Sequence, residues 1–525
     1  MTTPLSRGIV GGMSERDWRT AALLFVIISS VYFATVAGIT SSNDGSHYAL
    51  VRALVDKRSF EISEYLDVTE NQDYALNGDL RFSDRPPGTA ILSAPVYALS
   101  AFLPKPLVTL HSKHDPDNPR VVYAIVIPVT AASTMAIILF WILRAHFGMA
   151  EWTSVWSALA FAFGTMTWKY GSLLYSHAAS GLAVMAAVAL MLKWSGSRHA
   201  EAQSGEASRS TGERPFAPSG LRVTVSRDFW LGLLLGVSVL MEYTNIVFGV
   251  VAGVYWVVGL FGGLVVRGER RGVAVQRVFW FVIGGLIPAA LLMWYNTVNF
   301  GGPLQLSTFH ADTTRWPQNA SLFADFATPI WVGLPAMLFY GYDNQGLFWL
   351  APVSLLGLAG LRGLWQRSRR EFALIIGVFA AMLLLFSTST TFNPYTNDGR
   401  YLTPFLGLWF VAVGFGIETV GADLRVGPGA HTGSPLRVAI VYGLLFLSIR
   451  NQIMHIAFSW GHDLNLATLR PWAAAPENIA AVWNAVLPNA LNLPLWWGLV
   501  VVGWMIYRLA RMGTQMNADW VNERR

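Results

Sequence analysis

An acidic residue follows the first long apolar segment of the chain, in the sequence SSNDGSHY at 41–48. Asp44 has two interpretations there. It is an N-cap that accepts backbone N–H groups at the start of a helix, or it is a general base that takes a proton from an incoming hydroxyl group. The two roles are compatible. We predict an amphipathic interfacial helix after Asp44, because apolar residues recur at helical spacing: Tyr48, Val51, Leu54 and Val55.

A basic residue is the second candidate. Arg85 lies in the sequence DRPPG at 84–88, and the paired prolines fix an extended turn just before a predicted helix. A guanidinium in that place is suited to bind a phosphate group through two hydrogen bonds. The alternative is an interface arginine that binds lipid headgroups. The acidic segment 65–84 that precedes it is predicted to be a solvated face.

Further polar residues lie at the ends of apolar segments, where burial of a polar group is costly and therefore suggests a function. Glu242, followed by Tyr243, belongs either to a site or to the water-facing interface. Lys169, Arg400 and Arg450 are candidate phosphate ligands, and the alternative is that their side chains extend to the interface from the membrane.

Composition sets the class of protein. Of 525 residues, 53% are hydrophobic and 13% are charged, against roughly 25% charged in soluble domains. The mean hydropathy is +0.42. These values exclude a disordered chain, a basic nucleic-acid-binding domain and most soluble enzymes. The absence of cysteine excludes disulfides, thiolate metal sites and cysteine nucleophiles.

Twelve apolar segments are long enough to cross a bilayer, which takes about 20 residues as a helix. The segment 88–103 is shorter and is broken at Pro95 and Pro104, so we predict that it lies in the outer interface as a helix that does not cross. The twelve predicted spans are 21–39, 121–143, 153–169, 173–193, 229–243, 246–265, 278–299, 347–364, 372–390, 401–419, 437–456 and 492–510.

Basic residues orient the spans, since cytoplasmic loops carry an excess of lysine and arginine. They cluster at 193–227, 267–277 and 362–370, and all three clusters fall on one side if 88–103 does not cross. Both termini are then cytoplasmic. The outer face carries a large loop over 41–120 and smaller loops near 300–345, 391–400 and 457–491. The candidate residues above belong to this outer face.

Together these features resemble the GT-C superfamily of polyprenyl-phosphate-dependent membrane glycosyltransferases, which includes protein O-mannosyltransferases and aminoarabinose transferases of lipid A. The resemblance rests on the acidic residue after the first span, the tyrosine four residues later, and the basic-Pro-Pro motif. Three later motifs add to it: YN at 295–296 with FGGP at 300–303, GLF at 346–348 with Pro352, and GRYL at 399–402 with Pro404. It covers residues 20 to about 420, and the order of the motifs is more specific than any one of them.

The resemblance implies an all-α polytopic membrane protein of GT-C type, with a catalytic module over 1–420 and C-terminal transmembrane helices over 421–525. It implies an inverting enzyme of a bacterial plasma membrane. A sugar would pass from a polyprenyl-phosphate donor to a hydroxyl group of a glycan, lipid or protein at the outer face. No cofactor is required, although a divalent metal ion is possible because other acids could supply its ligands. No nucleic acid is expected, and membrane lipids are the other expected partner.

The same resemblance gives roles to individual residues. Asp44 is the predicted catalytic base, and Arg85 binds the donor phosphate with Arg400, Arg450 and Lys169 as further candidates. The candidates for substrate binding are Tyr48, His177, Glu242 and Tyr243.

Two departures from the family pattern bear on these roles. Many relatives carry two adjacent acids after the first span, but Gly45 follows Asp44 here, which makes a divalent metal ion less expected. Some relatives have an acid where this chain has Tyr175-Ser176-His177. His177 would then serve another role, such as a hydrogen bond to the acceptor or the phosphate.

Two other functions are compatible with a polytopic protein. One is a transporter or flippase of lipid-linked sugars, although no internal repeat is visible and the candidate charges gather at one face. The other is a GT-C-like protein that binds a lipid-linked sugar without transferring it.

Overall fold

The computed structural model describes residues 13–107, 115, 117–211, 220–266, 271–312, 325–339, 346–390, 399–420, 435–457 and 489–523. These parts of the chain are almost entirely helical, so the predicted all-α membrane fold is confirmed. The predicted outer loops 391–400 and 457–491 lie mostly outside the described residues, and the predicted division at 420 stays a prediction.

Eleven helices form the first part of the chain. They are α1 (Glu15–Ala34), α2 (Ser42–Arg52), α3 (Gly88–Leu99), α4 (Val121–Ala124), α5 (Val126–Trp141), α6 (Glu151–Gly164), α7 (Thr167–Gly171), α8 (Ser176–Thr211), α9 (Gly220–Met241), α10 (Ile246–Val266) and α11 (Arg271–Phe300).

Seven more follow among the described residues. They are α12 (Ile330–Leu338), α13 (Leu347–Leu350), α14 (Leu356–Arg367), α15 (Arg369–Ser387), α16 (Thr403–Thr419), α17 (Pro435–Ala457) and α18 (Leu493–Glu523). Short helical turns of other types adjoin them, of which Ile142–His146 and Arg400–Leu402 matter below.

Nine helices of the described chain are long and apolar enough to cross a membrane, so the protein is multi-pass, while the predicted number of twelve is not confirmed. Two of the predicted spans are interrupted. The segment 153–169 is divided at Thr165, whose backbone is extended, and 347–364 is divided at Ala351 before Pro352. A third predicted span, 229–243, is not among the nine helices either, and most of it lies in helix α9. Helix α3 has 12 residues, too few to cross, as predicted for 88–103.

The first outer loop departs from the predicted pattern in three ways. It contains a two-stranded antiparallel hairpin, β1 (Tyr74–Asn77) and β2 (Leu80–Ser83), which the all-helical prediction did not include. The acidic segment 65–84 is not simply a solvated face, because Asp84 is buried. Helix α2 is not an amphipathic interfacial helix, since residues 43–51 are all buried.

Close packing explains why a glycine follows Asp44. A Cβ atom on Gly45 would come within 1.9 Å of the Val68 carbonyl oxygen, so no side chain fits at this position. The second acid found in many relatives is therefore sterically excluded here. Gly88 has a similar role, because its Cβ would lie 2.6 Å from the Leu240 carbonyl oxygen. That contact seats the start of α3 against the end of α9.

The other end of the bundle is fixed by ion pairs. Arg144 Nε lies 2.8 Å from Asp17 Oδ1, which joins the turn after α5 to the start of α1. His146 Nε2 lies 2.8 Å from Glu371 Oε1, which joins the same turn to the start of α15. Both pairs therefore lie at the end of the bundle opposite the first outer loop.

Candidate active site

Five segments meet at the outer-loop end of the bundle. They are the start of α2, the residues before α3, the junction of α7 and α8, the end of α9, and the turn Arg400–Leu402. Their side chains interact in one continuous cluster, which we call the junction site. It contains Asp44, His47, Arg85, Tyr175, His177, Glu242, Arg400 and Tyr401.

Asp44 is fully buried, with all of its acceptor capacity used locally. Ser41 is the N-cap of α2 and Asp44 is the third helical residue, so the predicted cap position was wrong although the capping role is present. Asp44 Oδ1 accepts from Ser41 N at 2.7 Å and from Ser41 Oγ at 2.6 Å. Asp44 Oδ2 accepts from Thr40 N at 2.8 Å and from Thr40 Oγ1 at 3.3 Å.

Burial raises the pKa of Asp44, although the hydrogen bonds from Ser41 and Thr40 act in the opposite direction. A hydroxyl chain connects this carboxylate to the rest of the junction site. Ser41 Oγ lies 2.9 Å from the Tyr175 hydroxyl. Because the single hydroxyl hydrogen of Ser41 points to Asp44, Tyr175 is the donor to Ser41. Asp44 therefore communicates with the site through two hydroxyl groups.

His177 and Glu242 form a buried pair at the start of α8 and the end of α9. His177 Nδ1 lies 2.5 Å from Glu242 Oε1, which also accepts from Ser176 Oγ at 2.8 Å. The side chains of the pair are 4% and 8% exposed. His177 Nε2 and Glu242 Oε2 are both buried and have no hydrogen-bond partner among the described residues. Both residues were predicted as substrate-binding, and the structure brings them together.

Aromatic rings hold the His177 imidazole on three sides. Tyr175 stacks on it with ring centroids 5.6 Å apart, while Tyr170 and Tyr401 approach edge-on at 5.3 Å each. Such contacts restrict the rotation of the ring, so His177 has a fixed orientation toward Glu242.

Arg85 lies between two carboxylates. Arg85 Nη2 is 2.9 Å from Asp73 Oδ1, and Arg85 Nε is 3.2 Å from Asp84 Oδ1. Burial alone lowers the pKa of Arg85, but Asp73 and Asp84 outweigh this and the net shift is upward. Burial raises the pKa of Asp84, and the charge of Asp73 adds to the rise, against the effect of Arg85. The cation is thus held in place and permanently charged.

Arg400 and His47 complete the basic part of the site. Arg400 is 7% exposed, and its guanidinium carbon lies 5.1 Å from the Tyr401 ring centroid and 5.9 Å from that of Tyr175. His47 is buried, and its Nδ1 atom has no hydrogen-bond partner within the described parts of the chain. Burial lowers the pKa of His47 to about 3, and the nearby charges of Arg85 and His177 contribute. His47 is therefore neutral at neutral pH.

The remaining predicted residues lie around this cluster. Lys169 is buried, with Nζ 3.0 Å from His455 Nε2 of α17. The Tyr170 ring then lies between His455 and His177. Arg450 is half-buried on α17 and donates to Asn451 Oδ1 at 2.8 Å. Lys169 therefore borders the junction site, while no contact joins Arg450 to it in the described structure.

Two predicted tyrosines are engaged elsewhere. The Tyr48 hydroxyl donates to Asp115 Oδ2 at 2.8 Å and accepts from Asn118 Nδ2 at 2.9 Å. The Tyr243 hydroxyl lies 3.0 Å from Ser307 Oγ, which donates to the Asp84 carbonyl at 2.9 Å. Tyr243 thus supports the backbone beside Arg85.

The sequence reasoning missed His47, Asp73 and Tyr401 as members of the site. His47 carried a usable signal, because it lies three residues after Asp44 and so shares a helix face with it. Tyr401 lies inside the quoted GRYL motif. Nothing in the sequence connected Asp73 to Arg85, since the hairpin that joins them was not predicted. In the part of the chain that the structure describes, no group of three acidic or histidine side chains is arranged to hold a metal ion.

No protein-family model matches the chain, and no curated protein sequence matches it. Several solved structures are similar to it, including two structures of ArnT. The structure of ArnT from Cupriavidus metallidurans bound to undecaprenyl phosphate has 13% sequence identity, covers 91% of this chain and 77% of that chain, and has a TM-score of 0.49. The apo state of ArnT from Cupriavidus metallidurans has 13% identity, covers 91% and 76% of the two chains, and has a TM-score of 0.42. This similarity assigns no role to any residue of the present chain.

Proposed function

We propose that this protein is an integral-membrane inverting glycosyltransferase, which transfers a sugar from a polyprenyl-phosphate donor to a hydroxyl acceptor. The observation that carries the proposal is the junction site itself, where Arg85 and Arg400 accompany the His177–Glu242 pair at one end of a multi-pass helical bundle. Fixed cations and a proton-accepting group are the two requirements of such a transfer.

The cations serve the phosphate. In the displacement, the acceptor oxygen forms a bond to the anomeric carbon while the bond from that carbon to the phosphate oxygen breaks. The bonding electrons leave with polyprenyl phosphate, whose added negative charge is stabilised by preorganised cations. Arg85 and Arg400 are the proposed ligands, with Lys169 at the edge of the site. Removal of one such donor typically costs about 10²–10³-fold in rate.

The acceptor hydroxyl loses its proton in the same reaction. The resemblance described above proposes Asp44 as the base, and this assignment stays a prediction. The burial of Asp44 supports a raised proton affinity, but among the described residues its carboxylate is connected to the site through the hydroxyl groups of Ser41 and Tyr175.

We propose the outer face of a bacterial plasma membrane as the place of the reaction, with both termini in the cytoplasm. The support is the distribution of basic residues in the sequence, since the predicted topology puts all three basic clusters on the side opposite the first outer loop. A cysteine introduced at the exposed position Asp79 tests this orientation. Labelling of intact cells by a membrane-impermeant maleimide is the expected result, whereas labelling only after lysis contradicts it.

The transfer is tested with the full-length protein in lipid nanodiscs. The probe is the fraction of polyprenyl-phosphate-linked sugars extracted from bacterial membranes, mixed with the lipid and glycan acceptors of the same extract. We expect free polyprenyl phosphate to appear together with an acceptor heavier by one sugar residue, both measured by mass spectrometry.

Each alternative function gives a different result. A flippase moves the labelled donor across a liposome bilayer without cleaving it, and a binder retains the donor without releasing polyprenyl phosphate. Either outcome contradicts the proposed function.

A further inference from the structure

We propose that His177 is the group that takes the proton from the acceptor hydroxyl, that Glu242 orients and stabilises it, and that Asp44 acts mainly in positioning α2. This inference rests on the proposed glycosyl transfer and names the base of that reaction. It differs from the role that the sequence motifs predict for Asp44.

Asp44 and His177 differ in the hydrogen-bonding capacity that is left for a substrate. Asp44 accepts four hydrogen bonds, two at each oxygen, and a carboxylate has about four acceptor positions. Thr40 and Ser41 therefore occupy the places that an acceptor hydroxyl needs. His177 Nε2, in contrast, is buried with no partner among the described residues. That nitrogen is available to a substrate.

The contact between His177 and Glu242 also defines which nitrogen of the imidazole carries the hydrogen. An ionised carboxylate only accepts hydrogen bonds, so His177 Nδ1 carries the hydrogen in the 2.5 Å contact with Glu242. Nε2 is then the basic nitrogen. When it takes a proton, the resulting imidazolium keeps Glu242 as its counter-ion. This is the arrangement by which a carboxylate supports a histidine base in other enzymes.

The His177 imidazole is also held in a fixed position within the junction site. The rings of Tyr170, Tyr175 and Tyr401 fix the imidazole, and Arg400 lies over two of those rings. The ionisable groups around His177 come from five segments beyond its own helix: His47 of α2, Arg85 before α3, Tyr170 of α7, Glu242 after α9, and Arg400 with Tyr401. Among them only Glu242 supplies a negative charge in contact with the ring.

In the proposed step, one bond forms and one bond breaks at the anomeric carbon, and one proton is transferred. The acceptor oxygen bonds to the anomeric carbon, and polyprenyl phosphate departs with the electron pair of the broken carbon–oxygen bond. The hydroxyl proton moves to His177 Nε2, and it passes to water once the products leave. No oxidant, reductant or metal ion enters this balance.

The test compares two histidine–glutamate pairs in one protein. His177→Gln and Glu242→Gln remove the proposed base and its partner, while His146→Gln and Glu371→Gln remove the same chemistry at the opposite end of the bundle. The readout is the rate of polyprenyl phosphate release from the extracted lipid-linked sugars, with the full-length protein in nanodiscs. We expect His177→Gln to lower kcat by about 10²–10⁴-fold with the donor KM within threefold of the wild type. The two control variants keep their kcat.

A pH profile separates a chemical role of Glu242 from a structural one. In Glu242→Gln the imidazolium loses its counter-ion, so the acidic limb of the rate profile moves to lower pH. Glu242→Asp, which keeps the charge, restores part of the rate. The proposal is overturned if His177→Gln retains more than a third of kcat, or if Glu242→Gln leaves the acidic limb in place. If the wild type itself releases no polyprenyl phosphate, the proposed function fails and this inference fails with it.

Discussion

The two histidine–glutamate pairs of this protein share one chemistry and differ in their surroundings. His177 and Glu242 are both buried, whereas His146 is half-buried beside the buried Glu371, and the nitrogen–oxygen distances are 2.5 and 2.8 Å. At the junction site, one atom of each partner is buried without a hydrogen bond. No atom of His146 or Glu371 is in that condition among the described residues. A pair in which no buried polar atom lacks a hydrogen bond serves packing, whereas a pair with an unpartnered buried atom can bind a substrate.

The charges around the pairs differ as well. Two cations lie near His177: Arg85, which is paired with Asp73 and Asp84, and Arg400, which lies over the rings of Tyr175 and Tyr401, while His47 is neutral. Beside His146, Arg144 is already paired with Asp17, and Glu371 lies in the first turn of α15, where a negative charge stabilises the helix. A buried ionic pair in a membrane bundle is therefore a functional candidate only when one of its polar atoms can still form a hydrogen bond with a substrate.

After the loss of His177, the largest expected effect comes from the loss of Arg85, the cation beside the junction pair. Arg85→Gln should lower polyprenyl phosphate release by about 10²–10³-fold, because one fixed charge opposite the departing phosphate is lost. Release is measured by mass spectrometry as above. Arg81→Gln is the matched control, since this arginine is on β2 and its guanidinium donates to the nearby Asp79 carbonyl and lies over the Tyr74 ring. Equal rates in the two variants would contradict the role of Arg85 as a phosphate ligand.

Asp44→Asn decides between the two candidate bases. We expect release to fall less than tenfold and stability to fall by about 1–3 kcal/mol, because an amide cannot accept from both Thr40 and Ser41. Kinetics and chemical unfolding in detergent measure the two quantities. A loss of 10² or more in a folded variant would instead support Asp44 as the base.

Glu371→Gln should affect stability alone. The variant weakens the contact with His146 that joins the turn after α5 to α15, at an expected cost of about 1–3 kcal/mol in the free energy of unfolding. Chemical unfolding measures the cost, and the rate of transfer per folded molecule should not change. A fall in that rate would remove the distinction between the two pairs.

The smallest effect is expected for a histidine that has no carboxylate partner. The pKa of His47 in the folded protein is about 3, below the unfolded value of 6.5, so the unfolded chain binds the proton first as the pH falls. The stability linked to His47 is therefore present above pH 6.5 and is lost toward pH 3. His47→Gln should reduce the loss between pH 7 and 5 by about 2 kcal/mol. Unfolding curves at both pH values check this, and an unchanged difference would contradict it.

Much of the fold followed from local features of the sequence. Length and apolarity identify spanning helices without any knowledge of their neighbours, and they also indicated that 88–103 is too short to cross. The predicted break at Pro95 was wrong, because Pro95 lies inside the continuous helix α3. The count of spans was less accessible, because the breaks at Thr165 and Ala351 depend on backbone conformations that apolarity does not report.

The site was only partly predictable, for a related reason. Motif spacing indicated Arg85, His177, Glu242 and Arg400 one by one, yet it could not join them, since their contacts connect residues far apart in the chain. The hairpin that brings Asp73 to Arg85 has only four residues in each strand, which is a weak signal in a loop.

The sequence by itself determined that this is a helical membrane protein, because transfer of an apolar segment from water to lipid depends on its composition alone. It also determined where candidate polar residues lie along the chain. Only the tertiary structure decided which of them retain unused hydrogen-bonding capacity. Both carboxylate oxygens of Asp44 accept hydrogen bonds from Thr40 and Ser41 at the start of its own helix, whereas His177 Nε2 has no partner among the described residues. That difference depends on packing between segments, which the order of residues does not reveal.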